Sequence, residues 1–248
     1  RLASGSGRHG PRATTTRAWL LALALLPACS AGLSMSAAGV ALEKKALRSS
    51  IRGVLKALPA DAIGAASARA CARVLSLQPI DRSSRVCVYL AMGQECQTSR
   101  LLEAFFDQGR AVYVPRVTGS SRDAMRMLRV DSMRHVECLP RNSWGIPEPT
   151  DEEAARMEDG LAPGALIDAV VVPGVAFDRS CRRLGHGRGY YDTFLARLQA
   201  ARAAESLEPA AMVGLGLQEQ LVDAVPVADH DLPLDYVCTP DDLLARAD

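Results

Sequence analysis

The chain has 248 residues, 48% hydrophobic and only 4% aromatic, with 29 basic against 28 acidic side chains. That is ample apolar material for one core, and the near-zero net charge argues against a basic nucleic-acid surface. The seven cysteines are scattered, odd in number and form no C-x-x-C pair, which argues against a disulfide framework and a zinc site.

Residues 1 to 42 carry Arg1, Arg8, Arg12 and Arg17 and no acid. This composition implies a targeting or disordered extension, with the folded domain at 43–248. The apolar run Trp19 to Leu26 is too short to cross a bilayer. With Ala28-Cys29-Ser30-Ala31 behind it, it also fits a secretory-type signal, and Met35 stands as an alternative initiator. A mitochondrial address is expected, with plastid or cytoplasm as alternatives.

Leu47, Ile51, Val54, Leu55 and Leu58 recur at helical spacing and predict a helix over Glu43 to Leu58. Lys44, Lys45, Arg48 and Arg52 give it a basic side, either a solvated face or one that reaches an anion. Pro59 stops it, and Asp61 is positioned to cap a second helix to about Leu75. Val86 to Met92 is apolar throughout and predicts a strand. Ser99 is the expected cap of a helix from Arg100 to Gln108, with Gly109 at the position after its end. Ala111 to Val114 predicts the next strand, making a βαβ unit.

Residues 117–124 read as a polar turn and Met125 to Val130 as another strand. Asn142 to Pro149 is a stiff loop bearing Trp144, and Asp151 to Met157 an exposed helical turn. Ala169 to Val172 predicts a buried strand, closed by Pro173-Gly174. A loop from Phe177 to Leu184 then leads to a helix over about Tyr190 to Ala203. Met212 to Leu217 and Asp235 to Cys238 predict the last strands, and Thr239-Pro240-Asp241 a final helix start. Strands apolar on both sides, alternating with helices, predict a single α/β domain. Its mostly parallel sheet is covered on both faces, a Rossmann-like three-layer sandwich. The site of such a sheet lies beyond the carboxyl ends of its strands, where Glu95, Arg116, the loop after Phe177 and the loop after Leu217 are expected to converge.

Gly185-His186-Gly187-Arg188-Gly189 is the stretch that carries chemistry. Alternate glycines let backbone N–H groups converge on one point, and a helix start behind them adds partial positive charge. Arg182, Arg183 and Arg188 supply full charges with donors suited to phosphate. Asp192 is foreign to an anion site unless a cation such as Mg²⁺ lies between it and the phosphates. The spacing matches neither a Walker A loop nor a dinucleotide fingerprint, and the competing interpretation is a solvated Gly/Arg turn. Cys181 in this loop is a reactive thiol or an incidental one.

Pro173-Gly174-Val175-Ala176-Phe177-Asp178, followed by Arg183-Leu184-Gly185-x-Gly187-x-Gly189-Tyr190-Tyr191-Asp192, resembles the signature of the 5-formyltetrahydrofolate cyclo-ligase (methenyltetrahydrofolate synthetase) family. The resemblance runs from about Lys44 to Thr239. It implies ATP as co-substrate, Mg²⁺ as cofactor, and ATP-dependent closure of 5-formyltetrahydrofolate to 5,10-methenyltetrahydrofolate through a phosphorylated formyl group. Lys44, Arg48, Arg183, Leu184, Gly185, His186, Gly187, Arg188, Gly189, Tyr190 and Tyr191 become the ATP-binding residues. Leu90, Met92, Glu95, Trp144, His186, Gly187, Arg188, Gly189 and Tyr190 become the folate-binding ones. Arg188, Tyr190 and Arg183 take the catalytic roles, and Asp192 and Asp231 the metal, with Asp235 a neighbouring alternative to Asp231. Gln220 lies in a Gln-Glu-Gln stretch also seen in relatives. The partners implied are these small molecules, with neither nucleic acid nor membrane, and a monomer is expected.

His186 stands where many relatives are basic, Arg188 where they have lysine, and Gln97 where an acid is common. Those departures keep open a non-catalytic folate or nucleotide binder. A phosphosugar isomerase or acyl-transferase relative would leave Asp192 unexplained.

Overall fold

Val86, Val112, Ala169 and Val213 bury their side chains against one face of the sheet, while Cys87, Tyr113, Val170 and Met212 bury theirs against the other. Successive residues of a strand point to opposite faces, so this alternation makes a sheet buried on both sides. The computed structural model that shows it describes residues 36–229 and 231–247.

The order begins with helices α1 (Ala37–Lys56), α2 (Ala60–Leu75) and α3 (Gln78–Asp81), then strand β1 (Arg85–Val88). Helix α4 (Ser99–Asp107) leads to β2 (Ala111–Val117) and β3 (Met125–Val130), with α5 (Met133–Cys138) and α6 (Asp151–Ala154) following. Next come β4 (Ala169–Val172), β5 (Ala176–Asp178), β6 (Arg183–Leu184) and α7 (Tyr190–Ala204). The described chain closes with β7 (Ala211–Leu215), β8 (Leu221–Val222), β9 (Tyr236–Cys238) and β10 (Leu243–Ala245).

The main sheet has seven strands in the order β10-β9-β7-β4-β1-β2-β3. Its five central strands are parallel, and β3 and β10 are antiparallel edges. Ile51 and Leu55 of α1, Val74 of α2 and Phe105 of α4 pack on one face. Phe194, Leu195 and Leu198 of α7 pack on the other. The three-layer α/β expectation therefore holds. The chain leaves β1 through α4 to reach β2 on one side, and β4 through α7 to reach β7 on the other. The order reverses between β1 and β4, where such sheets open a crevice. At the far end of the strands, Arg202 donates to the Ile167 carbonyl (2.9 Å) and to Asp168 (3.1 Å), whose other oxygen accepts from the Ser84 and Arg85 amides. That knot joins α7 to the start of β1.

Several local expectations are corrected. Helix α1 begins at Ala37 with Ser36 as its cap, so residues 37–42 belong to it. Asp61 lies inside the first turn of α2, whose N-cap is Pro59. The strand predicted to reach Met92 stops at Val88, because Tyr89 leaves the ladder: its carbonyl accepts from Thr98 Oγ1 (2.7 Å) and its hydroxyl donates to the Cys96 carbonyl (2.7 Å). Thr98, one residue before Ser99, is the cap of α4. Gly109 ends α4 at φ +69°, with the Arg110 amide returning to the Phe105 carbonyl (3.0 Å), as a Schellman end requires. The loop from Phe177 to Leu184 is a hairpin, β5 with β6, in a second small sheet completed by β8. Thr239 starts no helix; its hydroxyl bonds Gln218 and the Asp242 amide, turning the chain into β10.

No helix among the described residues is long and apolar enough to cross a membrane. The extension up to Met35, with Cys29 and the targeting signal, lies outside the described residues, as does His230.

Candidate active site

A cavity of about 710 Å³ opens beyond the carboxyl ends of β1, β2 and β4. Lys44 and Arg48 reach it from α1, and Leu90, Met92 and Glu95 from the segment after β1. Trp144 lines its mouth, 71% exposed. Arg183 through Asp192 form another wall, and Asp231 completes it. The residues assigned to ATP, folate and metal by the family resemblance thus line one cavity.

The glycines are there for distinct reasons. A Cβ on Gly185 would lie 2.9 Å from Arg183 Nη1, so the Arg183 guanidinium would have to shift to admit it. Gly187 and Gly189 have φ of +104° and +73°, which L side chains rarely adopt. Gly189 is also the N-cap of α7, so the helix start with its partial positive charge faces the cavity.

Lys44, Arg48 and Arg52 are four residues apart and form one stripe on α1. Lys44 pairs with Asp231, Arg48 Nε donates to the Gly185 carbonyl (2.8 Å), and Arg52 Nη2 donates to His186 Nδ1 (3.4 Å). Burial lowers the Arg48 pKa, the Arg52 charge lowers it further, and Asp231 opposes them. Lys45 is exposed and outside the cavity wall. His186 Nε2 lies 3.1 Å from Glu95 Oε1, while Glu95 Oε2 accepts from the Met92 amide (3.0 Å). With Nδ1 accepting, this arrangement uses the Nε2–H tautomer. Gln97 stands behind Glu95, donating to its carbonyl at 2.9 Å.

Arg183 is buried. Its Nη2 donates to Asp192 Oδ1 (2.7 Å), its Nη1 to the Pro173 carbonyl (3.3 Å), and it sits 5.8 Å from the Tyr191 ring centre. Arg183 Nε and the Tyr191 hydroxyl are buried with no hydrogen-bond partner among the described residues. Burial also holds the Tyr191 phenol well above its ordinary pKa, so it is an O–H donor. Two orphaned buried donors cost about 1–3 kcal/mol each.

Asp192 and Asp231 line the same cavity with side chains 22% and 17% exposed. Hard carboxylate oxygens beside a phosphate-type loop suit Mg²⁺, which takes one or two carboxylates and fills its shell with phosphate and water. Asp235 does not compete for this role: it accepts from the Met212 amide (2.8 Å), pairs with Arg246 (3.1 Å) and is outside the cavity wall.

The 5-formyltetrahydrofolate cyclo-ligase family model matches residues 40–240. The chain belongs to that family. The mouse 5-formyltetrahydrofolate cyclo-ligase is 32% identical over 207 residues, covering 84% of this chain and 98% of the mouse protein. The Arabidopsis thaliana relative named 5-formyltetrahydrofolate cyclo-ligase, mitochondrial, is 32% identical over 80% of this chain and 74% of its own. Among solved structures, the Aquifex aeolicus 5,10-methenyltetrahydrofolate synthetase superposes with a TM-score of 0.65 at 26% identity, covering 83% of this chain and 93% of that one.

Not every expected residue of this family member joins the cavity. Arg182 turns outward, 4.0 Å from Asp178 and 44% exposed at its side chain. Arg116 is buried elsewhere, bound to the Pro149 carbonyl (2.7 Å) and to Asp151 (2.6 Å). The turn after Leu217 stays out as well: Gln220 supports the strand end from behind, donating to the Gly174 carbonyl at 2.6 Å. Cys181 is fully buried and its thiol is pushed up to about 11, chiefly by burial, which disfavours the reactive thiolate at neutral pH.

Other residues escaped the sequence reading. Asp178 is buried and accepts from the amides of Ser180, Arg182 and Val225, tying the β5–β6 hairpin to the segment that leads to Asp231. Its place in the signature was the available signal. Asn142 Oδ1 accepts from the Trp144 and Ile146 amides, and Glu148 bridges Asn142 to the Val117 amide, which holds the Trp144 loop against β2. Arg122 also lines the cavity, from what reads in sequence as an ordinary polar turn.

Proposed function

We propose that this family member catalyses the ATP- and Mg²⁺-dependent closure of 5-formyltetrahydrofolate to 5,10-methenyltetrahydrofolate, releasing ADP and phosphate. One observation carries the reading. A single cavity joins a glycine loop, a helix start and a basic helix face to a separate wall of Leu90, Met92, Glu95 and Trp144. The first set suits a triphosphate, the second a flat, partly apolar ligand.

The formyl oxygen attacks the γ-phosphorus and ADP leaves. N10 then adds to the activated carbon and loses its proton, and phosphate departs with the former formyl oxygen. Gly185, Gly187 and Gly189 cradle the phosphates, Arg188 and Arg183 hold charge beside them, and Lys44 and Arg48 approach from α1. Glu95, Met92 and Leu90 orient the folate, with Tyr190 and Trp144 at the mouth. Mg²⁺, held by Asp192 and Asp231, would neutralise phosphate charge. No protein nucleophile is required, so catalysis is positioning and charge stabilisation. The acid-free arginine-bearing extension and the name of the Arabidopsis relative support a mitochondrial location, and we propose a monomer.

The test is methenyl absorbance from 5-formyltetrahydrofolate with and without ATP. Product that requires ATP supports the reaction. Tight binding of both ligands without product would instead make the chain a non-catalytic binder.

A further inference from the structure

The hairpin tip between β2 and β3 lies along α7 and is held there at two points. Tyr190 Oη donates to the Gly119 carbonyl (3.0 Å), and Arg197 Nη1 to the Asp123 carbonyl (3.3 Å). Tyr190 and Arg197 are seven residues apart, two helical turns, so both anchors share one face of α7. The tip is closed on itself by the Thr118 amide bonding the Ala124 carbonyl (3.2 Å).

Arg122 sits between the anchors and lines the cavity. Its Cδ lies 3.5 Å, and its Nε 3.6 Å, from where a Cβ on Gly189 would be. Across the loop, the Arg48 guanidinium carbon lies 3.5 Å from the corresponding point on Gly187. Two arginines from distant parts of the chain therefore flank the two left-handed glycines. Arg48 is already engaged with the Gly185 carbonyl, whereas Arg122 makes no hydrogen bond or ion pair among the described residues. An anchored loop that presents an unengaged guanidinium to a cavity is arranged for a ligand, and a fork of N–H donors selects an oxyanion.

We propose that Arg122 is a substrate-binding residue that grips an oxyanion at the cavity mouth, a phosphate of the nucleotide or a carboxylate of the folate's glutamate. The proposal rests on the cyclo-ligase reading of the cavity and adds a residue to it that comes from the β2–β3 hairpin.

The test is calorimetric titration of the full chain, as wild type, Arg122→Gln and Arg122→Lys, with ATP, with 5-formyltetrahydrofolate and with its pteroate analogue lacking glutamate. Arg122→Gln is expected to weaken one ligand about tenfold, with partial recovery in Arg122→Lys and an unchanged melting curve. Loss confined to ATP assigns a phosphate. Loss for the folate, absent for the pteroate analogue, assigns the glutamate carboxylate. Unchanged affinities for all three, or equal loss for the folate and its pteroate analogue, would overturn the proposal. A wild-type chain that binds both ligands but forms no methenyl product would defeat the proposed reaction and leave the Arg122 result readable. A wild-type chain that turns over, with Arg122→Gln binding everything normally, would defeat Arg122 alone.

Discussion

His186 Nε2 meets Glu95 Oε1 at 3.1 Å across 91 residues of sequence, and Arg52 closes on the far side of the same ring at 3.4 Å. The imidazole thereby ties α1 and the glycine loop to the wall assigned to folate. Removing the ring frees Glu95 without touching the loop's backbone. His186→Ala is expected to raise KM for 5-formyltetrahydrofolate about tenfold, the scale of one charge-assisted hydrogen bond, with a smaller change in kcat. His186→Arg restores a donor to Glu95 and is expected to recover most of the loss. Equal kinetics for His186→Ala and wild type would remove the ring from the substrate account.

Arg183 and Asp192 form a pair whose side chains are 4% and 22% exposed. Deleting one partner of such a pair leaves a poorly solvated charge behind. Arg183→Met is expected to destabilise the chain by about 3 kcal/mol, read from the urea midpoint at constant slope. A shift no larger than that of an exposed control such as Arg156→Met would show that the pair is not structural.

Gly187 and Gly109 both adopt positive φ, but for different ends. Each is expected to lose about 1–2 kcal/mol of stability on substitution by alanine, because a Cβ is strained there. Gly109 only terminates α4, so Gly109→Ala should retain full turnover. Gly187→Ala should lose at least about tenfold in turnover as the loop is displaced. Comparable activity in the two variants would mean that the glycine loop is not the phosphate cradle.

The thiols sort by exposure. Burial pushes Cys71 and Cys181 up to about 11 and Cys96 and Cys238 up to about 12, whereas Cys138 is exposed. Only the thiolate reacts, and for a raised pKa it appears only as pH climbs toward that value. Iodoacetamide at neutral pH, read by peptide mass spectrometry, should modify Cys138 well before these four, with Cys181 labelling growing as the medium is made alkaline. Cys181 reacting as fast as Cys138 at neutral pH would restore it as a nucleophile candidate.

Local signals made much of this legible in sequence. β3 and β4 have the bounds expected of them, and α7 starts at Tyr190 directly behind the glycines, because hydrophobic period and turn residues act within a few positions. The cavity's place followed from the rule that such sheets bind ligands at strand ends, and its glycine wall from the motif, although the same rule also put Arg116 there. What stayed hidden depended on distant partners. The β5–β6 hairpin looks like a loop because its third strand, β8, comes from residues 221–222. Thr239 carries every local sign of a helix start, yet Gln218 and Asp242 claim its hydroxyl and turn the chain into a strand. Arg122 gains its position only when α7 grips the hairpin tip, and no spacing in the chain announces that.

The central claim is that this cavity holds the triphosphate and the folate together, so that the formyl oxygen itself takes the γ-phosphoryl group. Turnover of 5-formyltetrahydrofolate labelled with ¹⁸O in the formyl group tests it most directly. The label is expected in the released inorganic phosphate, one atom per methenyl product formed. Methenyl product accompanied by unlabelled phosphate, with the ¹⁸O found in water, would contradict it.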